Sequence, residues 1–236
     1  MKIALLGYGK MGKVIERIAL ERGHEIVLRK DDTNTFEGLL SADVAIDFSV
    51  PNAAVSNISA CFNAGIPIVS GTTGWLENYH EMVSLCEEKN AAFLYGSNFS
   101  LGVNLFFELN DYLAKIMSKF KEYNVSMEEI HHTEKLDKPS GTAISLANAV
   151  INHTDKNNWA IENPKEDDLF IDVKRIENVP GTHTVTYNSE VDFIEIKHVA
   201  HNREGFALGA VIAAEWIIGK KGVFSMKDVL DLDNRK

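Results

Sequence analysis

The densest chemistry in the sequence lies between Glu129 and Ala143, where His131, His132, Lys135 and Lys138 set two imidazoles and two ammonium groups close together. Pro139 then stops regular structure, and Ser140 is placed to cap a helix beginning at Gly141. The first amides of such a helix, those of Gly141 and Thr142, together with the positive end of its dipole, suit a carboxylate. The segment therefore reads as an anion cradle with proton donors beside it. No metal site is expected, because neighbouring histidines on a strand point to opposite faces and no carboxylate or thiol stands at a usual ligand spacing. Nucleophilic hydrolysis is not supported either: Ser140 sits in Pro139-Ser140-Gly141-Thr142, not on a G-x-S-x-G elbow. The plain alternative is a capped helix with solvated charges around it.

A second constellation opens the chain. The apolar run Lys2–Leu6 leads into Gly7-Tyr8-Gly9-Lys10-Met11-Gly12, and an amphipathic stretch follows without a gap. In this G-x-G-x-x-G arrangement Gly7 allows a tight turn, Gly9 lets a pyrophosphate approach the backbone, and Gly12 lets helix and strand pack closely. Asp31 lies 19 residues beyond Gly12, near the offset of about 20 at which a carboxylate receives the ribose hydroxyls of NADH. Arg29 and Lys30 beside it suit the 2′-phosphate of NADPH instead. The residues do not choose between the two cofactors.

These loops need elements to hold them. Residues 1–100 alternate β-rich apolar runs (Lys2–Leu6, Glu25–Arg29, Val44–Asp47, Pro67–Val69, Ala92–Tyr95) with helical spacing, the pattern of a parallel sheet whose crevice lies at the carboxyl ends of its strands. Asp47-Phe48-Ser49, Gly71-Thr72-Thr73-Gly74 and Gly96-Ser97-Asn98-Phe99-Ser100 follow such ends. Gly71, Thr72, Thr73, Gly96, Ser97, Asn98 and Phe99 therefore join the candidate cofactor residues. After Ser100 the pattern changes. A helix over about Val103–Lys119 precedes a strand-like Tyr123–His132, a polar surface excursion over Asn152–Asp168, and three β runs, Phe170–Glu177, His183–Tyr187 and Val191–Val199. An apolar helix, Phe206–Ile218, returns to the first domain.

Composition sets the outer limits. Among 236 residues, 24 Lys+Arg stand against 34 Asp+Glu, a formal charge of −10 that offers no global field for nucleic acid or an anionic membrane. Cys61 and Cys86 are too few for a disulfide framework or a four-thiolate zinc site, and are expected to be buried thiols.

Glu129–Ala143 resembles the signature E-x-H-H-x-x-K-x-D-x-P-S-G-T-A of the 4-hydroxy-tetrahydrodipicolinate reductase (dihydrodipicolinate reductase) family, with every fixed position matched. The Gly7–Gly12 loop, Asp47-Phe48-Ser49, Gly71–Gly74, Asn98-Phe99-Ser100, and Arg203 followed by Phe206-Ala207 and Gly209-Ala210 are similar in the family's order, so the resemblance spans the chain. It implies an α/β protein: a Rossmann-type dinucleotide-binding domain (1–101 and 204–236) plus a smaller α+β substrate and oligomerisation domain (102–203) with a mixed sheet. It also implies a homotetramer that uses NADH or NADPH to reduce a small cyclic imine dicarboxylate in diaminopimelate and lysine synthesis. Because Lys2–Leu6 meets glycines before an apolar leader core develops and no apolar run nears the roughly 18 residues of a membrane helix, a soluble, cytoplasmic protein is expected. By motif position, the resemblance makes His131 a proton donor/acceptor, Lys135 a proton donor, His132 a substrate contact, and Gly141 and Thr142 the carboxylate-binding amides. Two departures stand out: Val199 follows His198 where the family often has arginine, so that one cationic substrate contact is either missing or replaced by His201 or Arg203, and Lys138 stands where many members carry alanine. The competing readings are another Rossmann-type amino-acid dehydrogenase and a nucleotide-sensing module, which would keep the glycine loop but not need the second segment.

Overall fold

The computed structural model describes residues 1–32, 35–202 and 204–232. It divides into two compact units, Met1–Leu101 with Glu204–Lys236, and Gly102–Arg203.

In the first unit, β1 (Lys2–Leu6), α1 (Lys10–Glu21), β2 (Glu25–Lys30), β3 (Val44–Asp47), α2 (Pro51–Ala64), β4 (Ile68–Ser70), α3 (Tyr79–Glu88) and β5 (Ala92–Tyr95) alternate along the chain. Adjacent strands pair in parallel in the order β2-β1-β3-β4-β5, and β11 (Gly222–Phe224) adds to β5 at the edge. Because side chains alternate across a strand, each buried run serves two cores. Ile3, Leu5, Val44, Ile46, Val69 and Leu94 pack with α1 and with Ala207, Ala210, Val211 and Ala214. Ala4, Leu6, Ala45, Ile68 and Phe93 pack with Ile58 and Phe62 of α2 and Met82 and Cys86 of α3. This is a doubly wound sheet, and the strand order reverses between β1 and β3, the place where such sheets hold ligands.

The second unit contains most of α4 (Leu101–Met117), then β6 (Asn124–His131), α5 (Gly141–His153), β7 (Asn158–Ala160), β8 (Asp168–Arg175), β9 (Gly181–Asn188) and β10 (Phe193–Ala200). Its sheet runs β10-β9-β6-β8-β7, with β6 antiparallel to β9 and parallel to β8. Met127, Leu169, Ile171, Val185 and Tyr187 face Phe106 and Met117 of α4 and Leu146 and Val150 of α5. The stretch expected as a polar excursion over Asn152–Asp168 needs correction: α5 runs to His153, and Asn158–Ala160 is an edge strand on β8. Its three residues lie on the sheet edge, exposed or half-buried, and form no apolar run that marks a strand in sequence. Both ends of β8 and the starts of β9 and β10 lie two residues from where they were expected: β8 is Asp168–Arg175, β9 begins at Gly181 and β10 at Phe193.

Finally α6 (Glu204–Ile217) and α7 (Met226–Val229) belong to the first unit, where α6 covers α1 and strands β3 to β5. Cys61 and Cys86 are free and buried. Among the described residues no helix is long and apolar enough to cross a membrane.

Candidate active site

At the switch point of the first unit the three glycines differ in what surrounds them. Gly7 has φ +102, in the left-handed region, and a Cβ there would overlap the Phe48 carbonyl. At Gly12 a Cβ would run into the Gly7 carbonyl, so α1 starts tight against the loop. A Cβ at Gly9 would meet nothing within 4 Å. The loop thus leaves open backbone at the N-terminus of α1, which fits a pyrophosphate.

The carboxyl ends of β3 and β4 are tied together by Asp47, which is fully buried. Its carboxylate accepts from Ser49 Oγ (2.7 Å), Ser70 Oγ (2.8 Å) and Asn57 Nδ2 (2.9 Å). Burial pushes its pKa up, against those hydrogen bonds. Thr72 Oγ1 accepts from the Ser49 amide at 2.8 Å, so that hydroxyl is engaged inside the loops, while Thr73 is exposed. The Phe48 ring occupies the space a side chain at Gly71 would need and packs on Phe99, whose ring is in the core, with centroids 5.5 Å apart. Gly96, Ser97 and Asn98 follow β5, and Asn98 Oδ1 accepts from the Ser100 amide at 2.9 Å. At the end of β2, Arg29 and Tyr8 both donate to Glu16 of α1, and Lys30 Nζ lies 5.1 Å from the Phe36 ring centroid. Asp31 is exposed just beyond the strand, and Lys10 and Met11 open α1.

The second unit gathers the other constellation through strand register. Glu129 and His131 share one face of β6; Glu129 is paired with His183 of β9, and His131 with Arg175 of β8. Glu129 is fully buried. Its Oε2 lies 3.5 Å from His131 Nδ1 and 3.7 Å from His183 Nε2, and its Oε1 accepts from Arg175 Nη2 at 3.1 Å. Both carboxylate oxygens also receive the Ser140 amide, at 3.2 and 3.0 Å.

Burial pulls the His131 pKa down; Glu129 opposes that, Lys135 and Arg175 add to it, and Asp137 opposes it. Burial, with His131, His198 and Lys135 nearby, lowers His183 to about 3. Lys135 Nζ lies 2.8 Å from Asp137 Oδ1. For Asp137 burial pushes upward, but the bond and charge of Lys135, with Arg175, hold the carboxyl below its ordinary value.

Ser140 caps α5, its Oγ accepting from the Ala143 amide at 3.2 Å and meeting His183 Nε2 at 3.2 Å. Gly141 and Thr142 are the first residues of that helix, where N–H groups have no intrahelical acceptor. His132, just past β6, lines a cavity of about 470 Å³ with Glu134, Glu177, Pro180 and His201. Val199 lies on β10, Lys138 precedes Pro139 in the loop, and Arg203 falls outside the described residues.

Sequence reasoning missed Arg175 and His183, which no local motif marks; only strand pairing brings them to Glu129. It also missed the carboxylate beside the histidines: donor atoms of Glu129, His131 and His183 all lie within 4.8 Å of one another. That carboxylate already faces the Arg175 guanidinium, whose fixed charge opposes a cation.

A doubly wound unit with an open glycine loop, joined in sequence to a mixed-sheet unit carrying buried imidazoles and a helix N-terminus, defines the class of nicotinamide-dinucleotide-dependent oxidoreductases. The family profile described as "Dihydrodipicolinate reductase, N-terminus" matches residues 1–99, and "Dihydrodipicolinate reductase, C-terminus" matches 102–230. The chain belongs to the dihydrodipicolinate reductase family. It is 55% identical to a 4-hydroxy-tetrahydrodipicolinate reductase from Christiangramia forsetii over 98% of each chain, and 36% identical to one from Thermosipho africanus over 98% of each. A dipicolinate-bound dihydrodipicolinate reductase from Paenisporosarcina sp. TG-14 has the same fold, with TM-score 0.74 and 20% identity over 95% of this chain and 97% of that one.

Proposed function

We propose that the chain is the NAD(P)H-dependent reductase that converts 4-hydroxy-tetrahydrodipicolinate, a cyclic dicarboxylate, to tetrahydrodipicolinate in diaminopimelate and lysine synthesis. The observation that carries this reading is the pairing of the two family matches, over 1–99 and 102–230, with the intact Glu129–Ala143 constellation. NAD(P)H, when bound at the loops around Gly7–Gly12, Arg29–Asp31, Gly71–Thr73 and Gly96–Phe99, supplies the hydride. The Gly141 and Thr142 amides and His132 hold the substrate carboxylates. Loss of the 4-hydroxyl as water gives the conjugated imine; hydride added to it at a ring carbon leaves an electron pair on the conjugated system, and His131 and Lys135 stabilise and protonate it. Burial of His131 favours its neutral form, in which one ring nitrogen carries a proton and the other a lone pair, as a group that passes protons needs.

The same reading makes the enzyme a cytoplasmic homotetramer. Phe170, Phe193 and Val199, on the sheet face turned away from α4 and α5, are 37%, 64% and 48% exposed, and supply the apolar surface for sheet-to-sheet association. The test of function is a coupled assay that generates the unstable substrate enzymatically and follows oxidation of NADH and NADPH in parallel. Substrate-dependent oxidation of at least one is expected; oxidation of neither overturns the assignment.

A further inference from the structure

The most heavily engaged buried charge in the second unit is Glu129, a residue given no part in the chemistry above. It lies on β6 two positions before His131, is fully buried, and touches every segment that builds the anion cradle. Its carboxylate receives the Ser140 amide at the entry to α5 and the Arg175 guanidinium from β8, and faces His131 Nδ1 at 3.5 Å. Arg175 carries the contact onward: Nη2 also donates to the Asp137 carbonyl at 2.6 Å, and Nε donates to the Lys135 carbonyl at 3.2 Å. One anion and one planar cation thus hold the middle and the far end of the loop from His132 to Ser140.

We propose that Glu129 and Arg175 act as a positioning pair: Glu129 takes the Nδ1 proton of His131 as a hydrogen bond, leaving Nε2 for the substrate, and Arg175 sets the backbone on which Lys135 stands. The inference rests on the reductase reading above. Three observations carry it. Among the described residues His131 Nδ1 is buried and makes no hydrogen bond, and the Glu129 carboxylate faces it at 3.5 Å, a gap that a small turn of the ring closes. Nε2 lies on the opposite side of the ring, over Gly181, where a Cβ would stand only 3.1 Å away. The absence of a side chain at 181 leaves that nitrogen its room. Finally, a buried carboxylate is tolerated only when paired and hydrogen-bonded, and here the guanidinium and an amide do both. Serine proteases use a comparable arrangement, in which a buried carboxylate orients an imidazole without itself exchanging protons.

The charged and titratable groups facing His131 are Glu129 on its own strand, Arg175 from β8, His183 from β9, and Lys135 and Asp137 from the loop. Glu129→Gln keeps shape and removes charge. In the coupled assay it is expected to lower kcat at least tenfold, leave the KM for NAD(P)H within twofold, and move the His131 limb of the pH–rate profile to lower pH, because Glu129 is the group that most favours the imidazolium. Arg175→Lys keeps the charge but loses the fork. It is expected to lower kcat severalfold while leaving that limb in place.

Wild-type rates and limb in Glu129→Gln, or unchanged parameters in Arg175→Lys, overturn the pair. A loss of rate in Glu129→Gln without any limb shift also overturns the role toward His131. An inactive wild type is a different result, and removes the reductase reading itself. Should either variant fail to fold, ¹⁵N NMR of the wild type's His131 decides. The neutral ring is expected with its proton on Nδ1, and a proton on Nε2 overturns the proposal.

Discussion

At the scale of single residues, the second unit is built around groups whose charge is set by what burial leaves them to touch. His183 is 4% exposed, with its pKa lowered to about 3. It is neutral in the fold, whereas a histidine in the unfolded chain takes a proton near pH 6.5. Between those values the unfolded state binds more protons, so stability is greatest above about pH 6.5 and falls as pH drops toward 3, by at most about 1.4 kcal/mol per pH unit for this group. Urea unfolding at pH 7.5 and pH 5 is expected to show the loss, and His183→Gln to reduce it. Lys135 and His131 lie outside the glycine loop, so alanine at either is expected to lower kcat by about 10²- to 10⁴-fold with cofactor binding nearly intact. Steady-state kinetics with cofactor titration calorimetry would check the pair, and unchanged turnover in both variants would remove their roles. The sequence shows His131 and Lys135 because they are neighbours in the chain. Arg175 and His183 reach Glu129 through β8 and β9, and pairing register is not written in any short string. Arg29 shows a different limit: as sequence it is a cation awaiting a phosphate, whereas in the fold its guanidinium is hydrogen-bonded to Glu16.

At the scale of elements, α5 is defined at its start by Ser140. The hydroxyl accepts from the Ala143 amide and meets His183, while the backbone N–H goes to Glu129. Ser140→Ala is expected to cost about 1 kcal/mol through loss of the cap, with a further penalty because His183 Nε2 loses its hydroxyl. A thermal melt would register it, and an unchanged midpoint would mean that the cap contributes nothing. This element was legible from Pro139-Ser140-Gly141 alone, since a proline stop and a capping serine act locally. Five of the six strands of the first sheet were legible for a related reason: each is a short apolar run, buried on both faces in β1, β3, β4 and β5. By contrast β7 and β11 are three residues long, and their existence depends on β8 and β5 being there to pair with.

At the scale of the whole molecule, the open face of the second sheet bears on association. Light scattering after size exclusion is expected to give about four times the 26.3 kDa chain mass, and Phe193→Lys to shift it to smaller species. A monomer in the unsubstituted protein would refute the tetramer. The helix α6 has a further consequence. Its alanines and Val211 close one side of the first sheet, yet it follows the entire second unit in sequence. During synthesis β5 leaves the ribosome more than a hundred residues ahead of α6, which at about 5–20 residues per second is a wait on the order of ten seconds. For that interval Ile3, Leu5, Ile46, Val69 and Leu94 have only α1 as cover on that side, and the nascent chain shows apolar surface of the kind a holding chaperone binds. A chain ended after Asn202 fixes it in that state, and is expected to pellet with the insoluble fraction unless a chaperone is supplied in excess.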